Sequence, residues 1–219
     1  GGGWGEITFM DGLTFKTQAG LDIANVRDYM YWDTESGDGY GYGGLIEEVN
    51  STYATWNWQN VLNFTRTFNS VHNLTATAVQ EYTHSETEYM DGSVYELSDP
   101  FFSEHIISNT FGQKDVGGWK SENGLASYMF RANYNYDSKY YIGASIRYDG
   151  LSKLPKDTRW GTFWGASAAW RLSREKFWTE APVNEWFNDL RLRASYATIG
   201  NSALGSDYPY LGTYGAKLV

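Results

Sequence analysis

Residues 126–150 read ASYMFRANYNYDSKYYIGASIRYDG, and their alternation decides the fold. From residue 140 the even positions are Tyr140, Ile142, Ala144, Ile146 and Tyr148, while the odd ones are Tyr141, Gly143, Ser145, Arg147 and Asp149. A strand points successive side chains to opposite faces, so this segment predicts one apolar face bounded by tyrosine at both ends. At ~3.3 Å per residue the span from Tyr140 to Tyr148 covers roughly 26 Å along the strand. Tilted by ~40° it covers about 20 Å, close to the apolar band that aromatic girdles flank in outer-membrane barrels. The segment before it repeats the design, with Ala126, Tyr128, Phe130, Ala132, Tyr134 and Tyr136 opposite Ser127, Met129, Arg131, Asn133 and Asn135. Two even-numbered faces can share one side of a hairpin only across an odd-length loop. The loop is then Asp137-Ser138-Lys139, which pairs Tyr136 with Tyr140, Tyr134 with Ile142, Ala132 with Ala144, Phe130 with Ile146 and Tyr128 with Tyr148.

The same pattern extends in both directions. Ile7 and Phe9 lead into a Met10-Asp11-Gly12 turn, with Gly12 at its left-handed position, and Leu13, Phe15, Ala19, Leu21 and Ile23 follow on one face. In 52–68, Trp56, Trp58, Leu62, Phe64 and Phe68 alternate with polar residues, and 72–84 carries Leu74, Ala76, Ala78 and Tyr82. A turn at Asn69-Ser70-Val71 sets Trp58 opposite Tyr82. Further strands fall at 162–172, with Trp164 and Trp170, and at 189–199; the link 173–188, with Trp178, Trp186 and Phe187, predicts a short helix at the interface. Short turns alternate with longer links at 33–50, 85–123 and 150–160. Outer-membrane barrels have short periplasmic turns and long outer loops, so the long links are expected outside. The fold class is therefore all-β: an antiparallel transmembrane β-barrel wall of about eight strands.

Composition agrees and excludes several function classes. Mean hydropathy is -0.51 and no apolar run reaches the ~20 residues of a transmembrane helix, whereas a barrel wall needs apolar residues on one face only. Eighteen Tyr, ten Trp and eleven Phe suit a water–lipid boundary. They suit a soluble carbohydrate-binding module or glycosidase as well, and this is the alternative reading. No cysteine is present, which removes thiolate metal sites and Cys nucleophiles. The net charge of -9 argues against nucleic acid. The acidic residues concentrate in the links 33–50 and 85–123. The chain opens on Gly1-Gly2-Gly3 without the basic and apolar stretches of a signal peptide.

Tyr134-Asn135-Tyr136-Asp137-Ser138-Lys139-Tyr140, Ala144-Ser145-Ile146-Arg147-Tyr148-Asp149-Gly150, Arg159-Trp160-Gly161-Thr162-Phe163 and Ala168-Ala169-Trp170-Arg171-Leu172 occur in that order. Asp189-Leu190-Arg191-Leu192-Arg193-Ala194-Ser195-Tyr196, Ile199-Gly200-Asn201 and Tyr210-Leu211-Gly212-Thr213-Tyr214 follow. Together they resemble the SusC/RagA family of TonB-dependent transporters over 124–214, with a weaker likeness, such as His72-Asn73-Leu74, toward residue 13. The resemblance implies a 22-stranded barrel with a plugged lumen, of which 1–219 would be part of the barrel domain, without signal peptide, plug or C-terminal strand. It implies import of oligosaccharides or peptides, energised through TonB, beneath a SusD-like surface lipoprotein, in the Gram-negative outer membrane. No cofactor is implied.

The candidate residues follow from these faces. Trp58, Tyr82, Tyr128, Phe130, Tyr134, Tyr136, Tyr140, Ile142, Ile146, Tyr148, Trp164 and Trp170 are expected against lipid. Arg131, Arg147, Arg171, Arg191 and Arg193 are expected toward the lumen, where pairing with carboxylates competes with lining the import route. Tyr40, Tyr42, Tyr95, Phe101, Phe102 and Trp119 are expected in outer loops, stacking on substrate, contacting the lid, or packing the loops together. Catalysis finds little support. His72, His84 and His105 lack metal-ligand spacing, Asp33 to Asp38 lacks the calcium-loop pattern, and Glu47-Glu48 or Glu86 and Glu88 read as surface acids.

Overall fold

The computed structural model describes residues 1–98, 106–108, 110, 112–200 and 206–208. Its strands are β1 (Gly2–Met10), β2 (Leu13–Trp32), β3 (Leu45–Phe68), β4 (His72–Tyr95), β5 (Lys114–Tyr136), β6 (Tyr140–Leu151), β7 (Trp160–Arg171) and β8 (Arg191–Ala197). They form one sheet in sequence order, β1 to β8, so each strand hydrogen-bonds its neighbour in the chain and β1 and β8 are the edges. The β1–β2, β5–β6, β6–β7 and β7–β8 ladders are antiparallel. The sheet is open, as expected of a wall segment.

The β5–β6 register is the one the alternation demanded: Tyr136↔Tyr140, Tyr134↔Ile142, Ala132↔Ala144, Phe130↔Ile146 and Tyr128↔Tyr148. Its turn works because Asp137 and Ser138 both take left-handed φ, 50° and 53°, and Lys139 N–H donates to the Tyr136 carbonyl at 2.9 Å. Asn69 (φ 47°) and Ser70 (φ 59°) repeat this turn between β3 and β4, where Val71 N–H donates to Phe68 at 3.2 Å. Short polar side chains tolerate that conformation best. Side-chain pairs then trace the β3–β4 register outward from the turn: Thr67 with Asn73, Asn63 with Thr77, Asn60 with Gln80, and Thr55 with Ser85. Each pair is equidistant from Ser70, and the same spacing sets Trp58 opposite Tyr82.

The first hairpin differs at its tip. Met10 pairs with Leu13, so the turn is Asp11-Gly12 alone, and a register shift between Thr8 and Met10 leaves Phe9 as the extra residue of a bulge. Gly12 does have positive φ (82°), and a Cβ there would run into the Thr65 carbonyl of β3.

Two long links are shorter than expected. Residues 45–50 belong to β3, 85–95 to β4 and 114–123 to β5, leaving 33–44 and 96–113 as the connections. Tyr95 therefore ends β4 and Trp119 lies within β5, not in loops. These stretches carry polar residues on both faces, so the period-2 signal vanished although neighbouring strands still hold the backbone. Phe101, Phe102, His105, Asn201 and Tyr210 to Tyr214 lie outside the described residues. The 173–188 link does hold helix: α1 (Lys176–Thr179) sits between single 3-10 turns at Leu172–Arg174 and Pro182–Glu185.

The chain forms two compact units, the first of 1–20, 57–83 and 123–219, the second of 21–56 and 84–122. In the second, Leu45, Ile46 and Val94 are buried, and a 3-10 turn at Gly37–Tyr42 closes on β4 through Glu96 N–H to the Tyr42 carbonyl and Leu97 N–H to that of Gly43. In the first, the described large apolar side chains are not buried.

Candidate functional site

One face of the first unit is an apolar surface crossed by aromatic rows. At the short-turn end, His72, Tyr136, Tyr140 and Trp170 from four successive strands line up with centroid separations of 5.0, 6.3 and 6.4 Å. His72 Nδ1 also meets the Tyr134 hydroxyl at 2.6 Å. Glu175, which precedes α1, accepts from Tyr140 Oη at 2.6 Å and from Trp170 Nε1 at 3.1 Å, tying the link to this row. Those two donors, the Tyr140 bond foremost, hold the Glu175 carboxyl below its usual range. At the other end, Tyr128 pairs with Tyr148, and the Trp160 ring stacks 4.6 Å from Tyr148 and 6.4 Å from Tyr128. Gly150 lies beneath that indole, where a Cβ would come within 2.7 Å of the ring. Between the rows Phe130, Ile142, Ile146 and Trp164 are exposed. Trp164 packs on Tyr196 at 5.5 Å, while Trp58 donates its indole N–H to Thr17 at 3.1 Å.

Sequence reading passed over three features of this face. His72 and Trp160 belong to the aromatic rows, and period-2 spacing from Tyr82 in β4 and Trp164 in β7 could have found both. Asn60 and Gln80 break the apolar alternation of β3 and β4, and the structure explains each by the other: Asn60 Nδ2 donates to Gln80 Oε1 at 2.6 Å. A buried or lipid-facing amide costs little once bonded, and only the cross-strand register could reveal that pair.

The opposite face carries the arginines. Arg147 Nε bridges both oxygens of Asp149 at 2.7 and 2.8 Å, and its Nη2 reaches Ser127 Oγ at 3.2 Å. Arg171 Nε donates to Asp189 at 2.9 Å, and this guanidinium holds the Asp189 carboxyl below its ordinary range. Arg191 lies over the Tyr141 ring at 4.8 Å. Arg191 and Arg193 border a concavity of about 390 Å³ with Asn73, Asn133, Asn135 and Ser167. Arg131 is exposed on this face. Two of the five arginines thus pair with carboxylates, as the polar-interior argument anticipates.

Of the aromatics expected in outer loops, the described ones, Tyr40, Tyr42, Tyr95 and Trp119, lie in the second unit. Tyr40 is exposed on the 3-10 turn, and Tyr42 packs between Trp32 (6.2 Å) and Tyr95 (5.8 Å). Trp119 stacks on Tyr89 at 5.7 Å. These contacts pack the aromatics on one another, while Tyr40 and Trp119 keep exposed ring surface. The acidic pairs are engaged by cations: Glu48 by Arg27 at 2.8 Å and Glu86 by Lys120 at 2.6 Å. His84, Glu86 and Glu122 bring ligand atoms within 4.8 Å of one another, and Lys120 already supplies the counter-charge there.

Comparison with known proteins agrees with this geometry. No family model matches the chain. TonB-dependent receptor P39 of Formosa agariphila is 32% identical over 211 residues, 95% of this chain and 20% of the relative. TonB-dependent receptor SusC of Bacteroides thetaiotaomicron is 34% identical over 101 residues, 46% of this chain and 10% of the relative. Among solved structures, the RagAB peptide transporter superimposes with TM-score 0.85 at 25% identity, covering 97% of this chain and 23% of that one. The RagAB peptide importer in its open-open state gives TM-score 0.80 at 26% identity over 93% of this chain and 22% of that one. The chain spans at most 20% of the length of these curated relatives. They are receptors and transporters, not enzymes, which removes the glycosidase alternative.

Proposed function

From the premise that the chain belongs to the SusC/RagA type of TonB-dependent transporters, we propose that it forms part of the wall of an outer-membrane importer. The observation that carries this reading is the apolar face of β5–β7, bounded at both ends by rows of Tyr and Trp. A water-facing sheet would be destabilised by such a surface, whereas a lipid-facing one is stabilised by it, with ring tips at the headgroups. The opposite face, with its arginines, asparagines and serines, borders the solute path. On this reading the cargo is an oligosaccharide or a peptide, moved with energy relayed through TonB beneath a SusD-like lipoprotein; the likeness to a peptide transporter supports the peptide arm. Tyr40 and Trp119 are the described aromatics we assign to that outer end.

The test is site-directed labelling of the full-length transporter in vesicles. Nitroxides on Phe130→Cys and Ile146→Cys are expected to be reached by dissolved oxygen and shielded from an aqueous nickel chelate. Preferential access by the chelate at both positions would sink the wall assignment. Loss of solute uptake on deleting a neighbouring lipoprotein gene would support the lid, and unchanged uptake would remove it.

A further inference from the structure

The described arginines of the solute-side face are mostly spoken for, by Asp149, Asp189 or the Tyr141 ring. Arg159 is different. Its Nε is buried and has no hydrogen-bond partner, and the residue forms no ion pair among the described residues. A guanidinium N–H removed from water without an acceptor is an unsatisfied donor, so no protein group among the described residues answers the charge of Arg159.

The surroundings suit an anion. Arg159 lines a concavity of about 400 Å³ together with Arg147, Leu154, Phe163 and Thr198. The pairings Arg147↔Phe163 and Asp149↔Gly161 put it on the face opposite the lipid band, at the end of β6 and β7 away from the 137–139 turn. Asp149 is the carboxylate within it, and the Arg147 bridge cancels that charge, so the Arg159 charge remains uncompensated. The link that delivers Arg159 is pinned: Leu151 N–H donates to the Arg159 carbonyl at 3.1 Å, and Gly124 and Ser152 exchange bonds of 2.7 and 2.9 Å. Phe163 adds a ring wall, packed so closely that a Cβ on Gly200 would overlap it.

We propose that Arg159 is an oxyanion-binding residue of the solute path, recognising cargo that carries a carboxylate beside an apolar surface. A guanidinium offers two parallel N–H donors to a carboxylate, and the ring gives the adjoining sugar or side chain a place to pack. The proposal rests on the transport reading and names the substrate class for it.

The test compares full-length wild type with Arg159→Gln and Arg159→Lys by calorimetry. The probes are trigalacturonate against galactotriose, and trialanine against trialanine amide. In wild type one acidic probe is expected to bind at least about tenfold tighter than its neutral counterpart. Arg159→Gln should bring that ratio to about one, and Arg159→Lys should restore part of it as a point charge. The uronate and peptide arms decide which carboxylate source the site takes. Ratios near one in wild type for both pairs, or a wild-type ratio that survives in Arg159→Gln, would overturn the proposal. Failure of the transport reading is separate: it would appear as a water-exposed Ile146 label, whatever the probe ratios.

Discussion

In the second unit Ile46 is 1% exposed and Val94 2%, whereas in the first Ile142 is 59% exposed and Ile146 49%. The two units use the same antiparallel strands, and four of those strands, β2, β3, β4 and β5, run through both. What differs is where the apolar side chains find cover. The second unit covers part of its own, with a small cluster of Leu45, Ile46 and Val94 and with Tyr42 packed between Trp32 and Tyr95. The first leaves a whole face to its surroundings, a cost that water would impose and lipid would not. Exposure of a single isoleucine means nothing, but an exposed face with aromatic borders is what the proposed lipid contact requires.

The largest test of this contrast is a pair of truncations. Ile46→Ala should cost about 2–5 kcal/mol, since a cavity opens in packed protein. Ile146→Ala should cost under about 1 kcal/mol, because acyl chains close over the gap and little cavity remains. Denaturant unfolding of the full-length protein in vesicles measures both, and equal losses would break the distinction.

A charge scan follows. Ala144→Arg, between the two aromatic rows, should cost roughly 2–4 kcal/mol if that face meets hydrocarbon. Val116→Arg in the second unit, on a side chain 82% exposed, should stay within about 0.5 kcal/mol. The same unfolding assay decides, and a tolerated Ala144→Arg would place that face in water.

Asn60 and Gln80 sharpen the picture of the apolar face. Asn60→Leu alone strands the Gln80 amide and should cost about 1–3 kcal/mol, whereas the double leucine variant should be nearly neutral. Additive losses would mean that the two amides do not depend on each other.

The smallest effect is the pH response of the 173–188 link. Its anchor, Glu175, has a folded-state pKa depressed by the Tyr140 and Trp170 bonds, so it contributes stability above the unfolded value, and that contribution disappears as pH falls through the lowered one. Amide-exchange protection at Trp178 and Thr179, whose N–H groups bond the Glu175 carbonyl, should therefore be full at neutral pH and drop below about pH 4. Protection that is the same in Glu175→Gln as in wild type at every pH would show that the anchor is not the carboxylate.

Much of the wall was legible because its chemistry is written at period 2. Tyr128 to Tyr148 revealed strands, face, loop length and register together, since a one-residue slip would turn every apolar residue to the polar side. Residues 21–32, 85–95 and 114–122 were not legible as strand beyond their first positions. Asp22, Asn25, Arg27 and Asp28 alternate with residues that need no burial, so no periodicity marks them. Trp119 was placed in a loop for that reason, and its stacking on Tyr89 was invisible without the β4–β5 pairing. The orphan donor of Arg159 was equally hidden, because hydrogen-bond satisfaction depends on what surrounds an atom and not on its neighbours in the chain.

By itself the sequence determined which residues share a face and how two strands must meet, because side-chain alternation and turn length are local properties of the backbone. Only the tertiary structure decided how far the strands continue, which polar residues answer each other across them, and which buried arginine nitrogen among the described residues is left without a partner. Those depend on ladder bonds and side-chain contacts between residues distant in the chain, such as Asn60 with Gln80 and Arg171 with Asp189, which no local pattern records.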